Sequence, residues 1–266
     1  MRLRIGRVLR WPAIAVLAVG ILVAVVTLLI SRPNHASDAP PGRAAAPSQP
    51  DGIRADAQPP VNGGPLAEAD PAAYQLARLR ALEPVVASPA TAIIAGEAAQ
   101  QPDLYAAEFT RRLLTQDYRQ PRDEHVRWVQ AESAATGEPL VVGKVPPELR
   151  DRLAVYSVID AADAPAPIPT PAEWAGLAAQ DAYTTVSIDR VEEPFAWTNA
   201  VASGRIGDPG ITGRDVTATV TLHSTVDGQP RTAQYSVGLS LNLQGPPTRH
   251  TWGFVAAVSY TAIQVK

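Results

Sequence analysis

At residue 183 the apolar periodicity of this chain changes from three-to-four to two, and that switch constrains the fold more than any other feature. Beyond it, Val216, Ala218, Val220 and Leu222 share one strand face, and Thr217, Thr219, Thr221 and His223 the other. Asp227-Gly228 has the chemistry of a two-residue hairpin turn. The return strand aligns Ala233, Tyr235, Val237, Leu239, Leu241 and Leu243. Gly245-Pro246-Pro247 turns the chain again, and Trp252, Phe254, Ala256, Val258 and Tyr260 repeat the alternation. Upstream, 184–191 and 195–202 read as two further strands parted at Glu193-Pro194, and 204–214 as a glycine-rich loop. One apolar face along consecutive strands predicts an antiparallel meander whose other face meets water.

Before the switch the pattern is helical. Asp70 followed by Pro71 is a helix start, a capping carboxylate and then a proline whose missing N–H costs nothing in the first turn. That helix runs to about residue 82, where Glu83-Pro84 ends it. The strongest stripe is Tyr105, Phe109 and Leu113, widened by Leu114 and Tyr118, and it predicts a helix over 102–119. A second helix over 122–135 carries Val126, Trp128 and Val129, with Gly137 as its stop. A third piece is expected at 147–156. Residues 160–171 read as a loop, and Thr170-Pro171-Ala172-Glu173 spells a capping box that opens a short helix beneath Trp174 and Leu177. Helices first and strands after is an α+β arrangement: about three or four helices covering one side of a curved antiparallel sheet.

Ahead of all this, residues 12–30 form an uncharged apolar run preceded by Arg2, Arg4, Arg7 and Arg10. Spanning a bilayer takes roughly 20 apolar residues in helix, and the basic flank stays in the cytoplasm. The expectation is a cytoplasmic tail at 1–10, a transmembrane helix at 11–31 and an extracytoplasmic remainder. A cleaved signal peptide has a shorter apolar core, of about 7–15 residues, ending at a small-x-small site; the exit Ile30-Ser31-Arg32-Pro33 has none. Residues 32–65 are rich in Pro, Ala and Gly and hold almost nothing to bury, so they read as a disordered tether. A helical extension at 66–101 and a domain at 102–266 follow.

Composition narrows the chemistry. A net charge of -3 does not suit a protein whose main partner is nucleic acid. With no cysteine, zinc-thiolate, disulfide and thiol-nucleophile chemistry are excluded, and the fold rests on its apolar core.

The segment Ala107-Glu108-Phe109-Thr110-Arg111-Arg112-Leu113-Leu114-Thr115-Gln116-Asp117-Tyr118, with Trp128 after a short gap, resembles the aromatic first helix and Trp-bearing second helix of TcpC-type conjugation proteins. These are single-span assembly proteins of type IV secretion machines, and a Pro-rich tether before a helix-then-strand domain is similar to their layout. The resemblance covers roughly residues 1–30 and 100–266. It implies a nuclear-transport-factor-2-like cone outside the membrane, and a noncatalytic subunit that self-associates and touches other membrane components of the channel. Mce-associated membrane proteins, accessory to lipid transporters, are also anchored and expected to be cone-like. A ligand-binding or isomerase-like cone is the third reading.

Few residues suggest chemistry. His35, His125, His223 and His250 show no metal-ligand spacing, and no cofactor is expected. Asp117-Tyr118 with Asp181 and Tyr183 could imitate the base of a cone-fold isomerase, but a base needs a desolvated pocket; the simpler reading is a solvated or Arg-paired Asp117 and a core Tyr118. Gly204 to Gly210 lacks the Lys-Ser/Thr of a phosphate loop. The tryptophans at core spacing are expected to be core. The exception is Trp197 with Phe195, beside Pro194, as a candidate interaction surface at an edge or rim.

Overall fold

The computed structural model describes residues 70–87, 93–159 and 165–265. The expected transmembrane helix at 11–31, the cytoplasmic tail and the tether lie outside these. Among the described residues no helix is long and apolar enough to cross a membrane.

The chain is α+β, with seven α-helices among the described residues, six of them within 102–266 where about three or four were expected: α1 Pro71–Ala81, α2 Pro102–Leu114, α3 Arg122–Ala131, α4 Pro139–Val142, α5 Leu153–Ile159, α6 Pro171–Ala178 and α7 Phe195–Ala202. Two 3₁₀ turns, Gly96–Ala99 and Pro147–Arg152, join them. Four strands, β1 Tyr183–Glu192, β2 Ile211–Val226, β3 Gln229–Gln244 and β4 Gly253–Val265, form one antiparallel sheet in the order β1-β2-β3-β4.

Local signals set several boundaries. The Asp70 carboxylate accepts from the Ala73 amide at 3.0 Å and starts α1. Thr170 and Glu173 close the capping box of α6, with bonds of 3.3 Å and 2.9 Å between each side chain and the other's amide. Asp227 and Gly228 both take positive φ, 53° and 71°, as a two-residue hairpin turn with the sheet's right-handed twist requires.

The main core lies between α2 and the sheet. Tyr105, Phe109 and Leu113 meet Val216, Leu239, Leu241, Leu243 and Phe254, all buried. Phe109 stacks on Phe254 at 4.2 Å and on Trp128 at 5.3 Å between ring centroids. Trp174 sits edge-on to Tyr118 at 4.8 Å and donates to the Gln120 carbonyl at 3.1 Å. The segment expected as a helical extension shares this core: Ile94 and Ala99 are buried in it, and the Leu82 carbonyl accepts from Arg152 at 2.7 Å.

Both predicted long helices end early, for one reason. α2 stops at Leu114 rather than near residue 119 because the next residues pair with β1: Thr184 N donates to Gln116 O at 2.8 Å, and Tyr118 N to Ala182 O at 3.1 Å. α3 stops at Ala131 rather than near 135 because Phe254 N donates to Glu132 O at 2.9 Å and Ala134 N to Phe254 O at 2.7 Å. In each case unpaired groups at a sheet edge capture the chain as it leaves the helix.

Three strand expectations are corrected. Residues 195–202 are helix, not strand. β2 begins at Ile211, inside the stretch read as a loop. The alternation across 252–260 is broken, since β4 shifts register twice against β3, between Ser240 and Leu241 and between Asn242 and Leu243. The extra residues put Phe254, Ala257 and Tyr260 toward the main core and Val255 and Ala256 into a smaller cluster with Ile211 and Ala134.

Candidate interaction surface

The helix α7 crosses from β1 to β2 and carries both residues singled out in the sequence. Phe195, Trp197, Asn199 and Val201 alternate like a strand, but Pro194 leaves no amide for a ladder, and alanines fill three of the eight helical positions. The Pro194 carbonyl accepts from the Trp197 and Thr198 amides at 2.9 and 3.1 Å and starts the helix. Trp197 and Ala200, three residues apart, then form the face that meets the protein.

Trp197 lies over Gly213 of β2, in the small cluster of Ile211, Val255, Ala256 and Ile206. A Cβ at position 213 would sit 3.1 Å from the indole ring, so glycine here provides close approach. The structure therefore separates the expected pair. Trp197 is a half-buried anchor, and Phe195, 79% exposed, projects from the helix with Val201, 53% exposed. α7 carries no charged residue at all. α7 thus combines an absence of charge with an exposed aromatic, two features that mark interface cores.

Both ends of α7 are clamped. Ahead of it, Glu193 accepts from Thr198 at 2.8 Å and from Arg214 at 3.1 Å. The Arg214 guanidinium is itself nearly buried; it reaches Asp103 at 2.5 Å, Thr212 Oγ1 at 2.6 Å and the Gly213 carbonyl at 2.6 Å. Behind it, the buried Glu138 carboxylate accepts from the Gly207 and Asp208 amides at 3.0 and 2.9 Å. Asp208 in turn holds Gly210 N and Gln244 Nε2 at 2.8 Å each, together with Thr248. Burial alone would raise the Asp208 carboxyl, but the bonds from Thr248, Gly210 and Gln244 outweigh it and hold it low. The exposed face thus stands on a rim fixed at both ends. Arg214, Glu138 and Asp208 escaped the sequence reading because the partners that fix this rim lie far away along the chain: Asp103 and Glu193 for Arg214, the 207 and 208 amides for Glu138, and Gln244 and Thr248 for Asp208.

Most of the acid–base candidates come together, but at the surface: Asp117 and Tyr183 form an isolated β-bridge, and the Arg119 guanidinium lies 5.9 Å from the centroid of the exposed Tyr183 ring. Asp117 is paired to Arg119 at 2.7 and 2.8 Å, and that hydrogen bond holds its carboxyl below the ordinary range. Tyr118 is core, raised by burial. Asp181 occupies a turn with φ 50°, and Tyr183 stacks on His223 at 4.7 Å. A shallow cleft of about 260 Å³ lined by Asp117, Glu124, His125, Trp128 and Trp174 opens at the surface. His125 is half-buried and bonds to the Leu113 carbonyl at 2.9 Å; burial lowers its pKa.

A further acid also escaped the sequence reading. Glu132, just past α3, is buried and accepts from Tyr105 Oη at 2.8 Å and Ile94 N at 2.5 Å. Burial raises its carboxyl above the usual range and pushes the Tyr105 hydroxyl well above its own. With Tyr105 at 0% exposure the dyad has no route to a substrate; its chemistry is to pin residue 94 to the core. His223 bonds Thr185 on the exposed face of the sheet, His250 is exposed after the Pro-Pro turn, and His35 lies outside the described residues. Among the described residues no three His, Asp or Glu side chains converge as a metal cluster would require. No protein-family model, curated protein or solved structure matches this chain.

Proposed function

We propose that this chain is a membrane-anchored structural subunit of a conjugative type IV secretion complex. It acts through self-association and contacts with channel subunits, and without catalysis. In this reading the apolar run at 11–31 spans the membrane with its basic flank inside, and the α+β body is a cone of the nuclear-transport-factor-2-like kind. The bulged strands and the placement of α2 against the sheet support that finer description of the fold. The space where a ligand-binding cone would keep its chamber is filled by Tyr105, Phe109, Leu113 and Phe254, which favours an interaction role over an isomerase role.

The observation that carries the proposal is α7: an uncharged helix clamped at both ends with Phe195 standing in solvent. An exposed aromatic on a rigid support has the character of an interface hot spot. The test is full-length protein in its native membrane with a photoreactive phenylalanine analogue at position 195. Illumination should trap a channel subunit of the secretion machine, and Phe195→Ser should abolish co-purification without lowering thermal stability. Trapping a subunit of an Mce-type lipid transporter instead would refute the assignment.

A further inference from the structure

The two edges of the sheet are treated differently along their free halves. The hairpin turn makes Val226 and Gln229 a hydrogen-bonded pair, and the alternation from there assigns the direction of every backbone group. On β1 the outward groups are those of Thr184, Val186, Ile188 and Val191; Thr184 is taken by Gln116. The rest of that edge carries Asp189, Arg190, Glu192 and Glu193, a bulge after Ile188, and Pro194, which are the devices that stop a strand from recruiting another.

On β4 the outward groups are those of Phe254, Ala257, Tyr260, Ala262 and Gln264. The first two are used: Phe254 by residues 132 and 134, and Ala257 N by Ser157 Oγ at 2.9 Å. Tyr260, Ala262 and Gln264 have no backbone partner on that side among the described residues. This half has no bulge, proline or charge; its sequence is Ser-Tyr-Thr-Ala-Ile-Gln-Val, and Ile263 is 69% exposed.

We propose that the free half of β4 pairs antiparallel with β4 of a second copy, joining two four-stranded sheets across a two-fold axis at Ala262. This rests on the self-association in the reading above and names its surface. The occupant is a second copy because the edge is self-complementary. In the register centred on Ala262, Tyr260 faces Gln264 of the other copy and Ala262 faces itself. Those three pairs exchange six backbone hydrogen bonds and bring no like charges together. The intervening pairs set Ile263 against Thr261, giving the exposed isoleucine an apolar methyl neighbour on each side of the axis. Two copies held in one membrane meet at high effective concentration, so a short pairing is sufficient.

The chain lacks cysteine, which makes the test clean. Facing residues of a hydrogen-bonded pair have Cα atoms about 5.5 Å apart, inside the disulfide range of roughly 4.4–6.8 Å. Full-length Ala262→Cys in membranes should form a disulfide-linked dimer on mild oxidation. Asp227→Cys, at the far hairpin, should not. Ala262→Pro removes an amide that faces away from β3, so the ladder is kept; the full chain in detergent should keep its melting temperature and lose its dimer in sedimentation. Ile263→Lys, a surface charge near the axis, should lose the dimer too, and covers the case in which proline disturbs folding. Absence of the Ala262→Cys cross-link overturns the pairing. So does a dimer that survives both Ala262→Pro and Ile263→Lys, and that result leaves self-association through another surface standing. A chain monomeric at every concentration that still co-purifies with channel subunits overturns the pairing and leaves the secretion reading intact.

Discussion

Tyr105→Phe isolates one hydrogen bond in the core, and its consequence follows from the geometry. The phenol donates to the Glu132 carboxylate at 2.8 Å, and both residues are buried. A hydrogen bond to a charged group contributes about 1.5–3 kcal/mol. For a domain of this size each kcal/mol moves the melting temperature by about 2–4 °C, so Tyr105→Phe should lower it by roughly 3–12 °C. The ring stays, so stacking on Phe109 is unchanged.

The cost should depend on pH. Burial raises the Glu132 carboxyl, so the folded protein holds that proton more tightly than the unfolded chain. The resulting stability is full below the ordinary glutamate pKa of about 4.3 and is lost as pH rises through the raised folded value. The Tyr105 donor favours the ionised form and limits that loss. Removing it raises the carboxyl further, so Tyr105→Phe should cost more at neutral pH than at acid pH. In a Glu132→Gln background the site no longer ionises, the pH difference should vanish, and the cost should fall to the neutral-bond level of about 0.5–1.5 kcal/mol. Chemical denaturation of the four proteins of the cycle at two pH values reads this directly. An equal cost at both pH values, or an undiminished cost in the Glu132→Gln background, would refute the reasoning.

Two further substitutions probe the main core and the support of α7. Phe109→Ala empties the centre of the aromatic stack and should cost about 3–5 kcal/mol in denaturant unfolding. Gly213→Leu drives a side chain into the Trp197 ring, 3.1 Å from where the Cβ would lie. It should lose about 1–3 kcal/mol and alter tryptophan fluorescence as α7 lifts; unchanged fluorescence would show that Trp197 does not depend on the close approach.

The legible parts of the fold were those decided by neighbours in sequence. The Asp70 cap, the Thr170–Glu173 box and the Asp227-Gly228 turn involve atoms at most three residues apart, and each is where its residues predict. The Tyr105–Phe109–Leu113 stripe and the buried faces of β2 and β3 were legible because a regular element repeats its own period. The candidate surface was half legible. Phe195 and Trp197 are adjacent to the exposed rim, but whether 195–202 was strand or helix could not be read from alternation alone, because its alanines suit a helix while its aromatics suit a strand.

The sequence by itself determined the α+β class, the order of helices before sheet and which strand faces are apolar, because those depend on periodicity and turn chemistry within short windows. Only the tertiary structure decided where α2 and α3 end, where β4 bulges, that Trp197 is an anchor and Phe195 is free, and that Glu132 and Arg214 are buried. Each of these is a contact between segments far apart in the chain. An open sheet edge, a glycine under an indole or a buried carboxylate has its partner only once the chain has folded, and no local pattern encodes it.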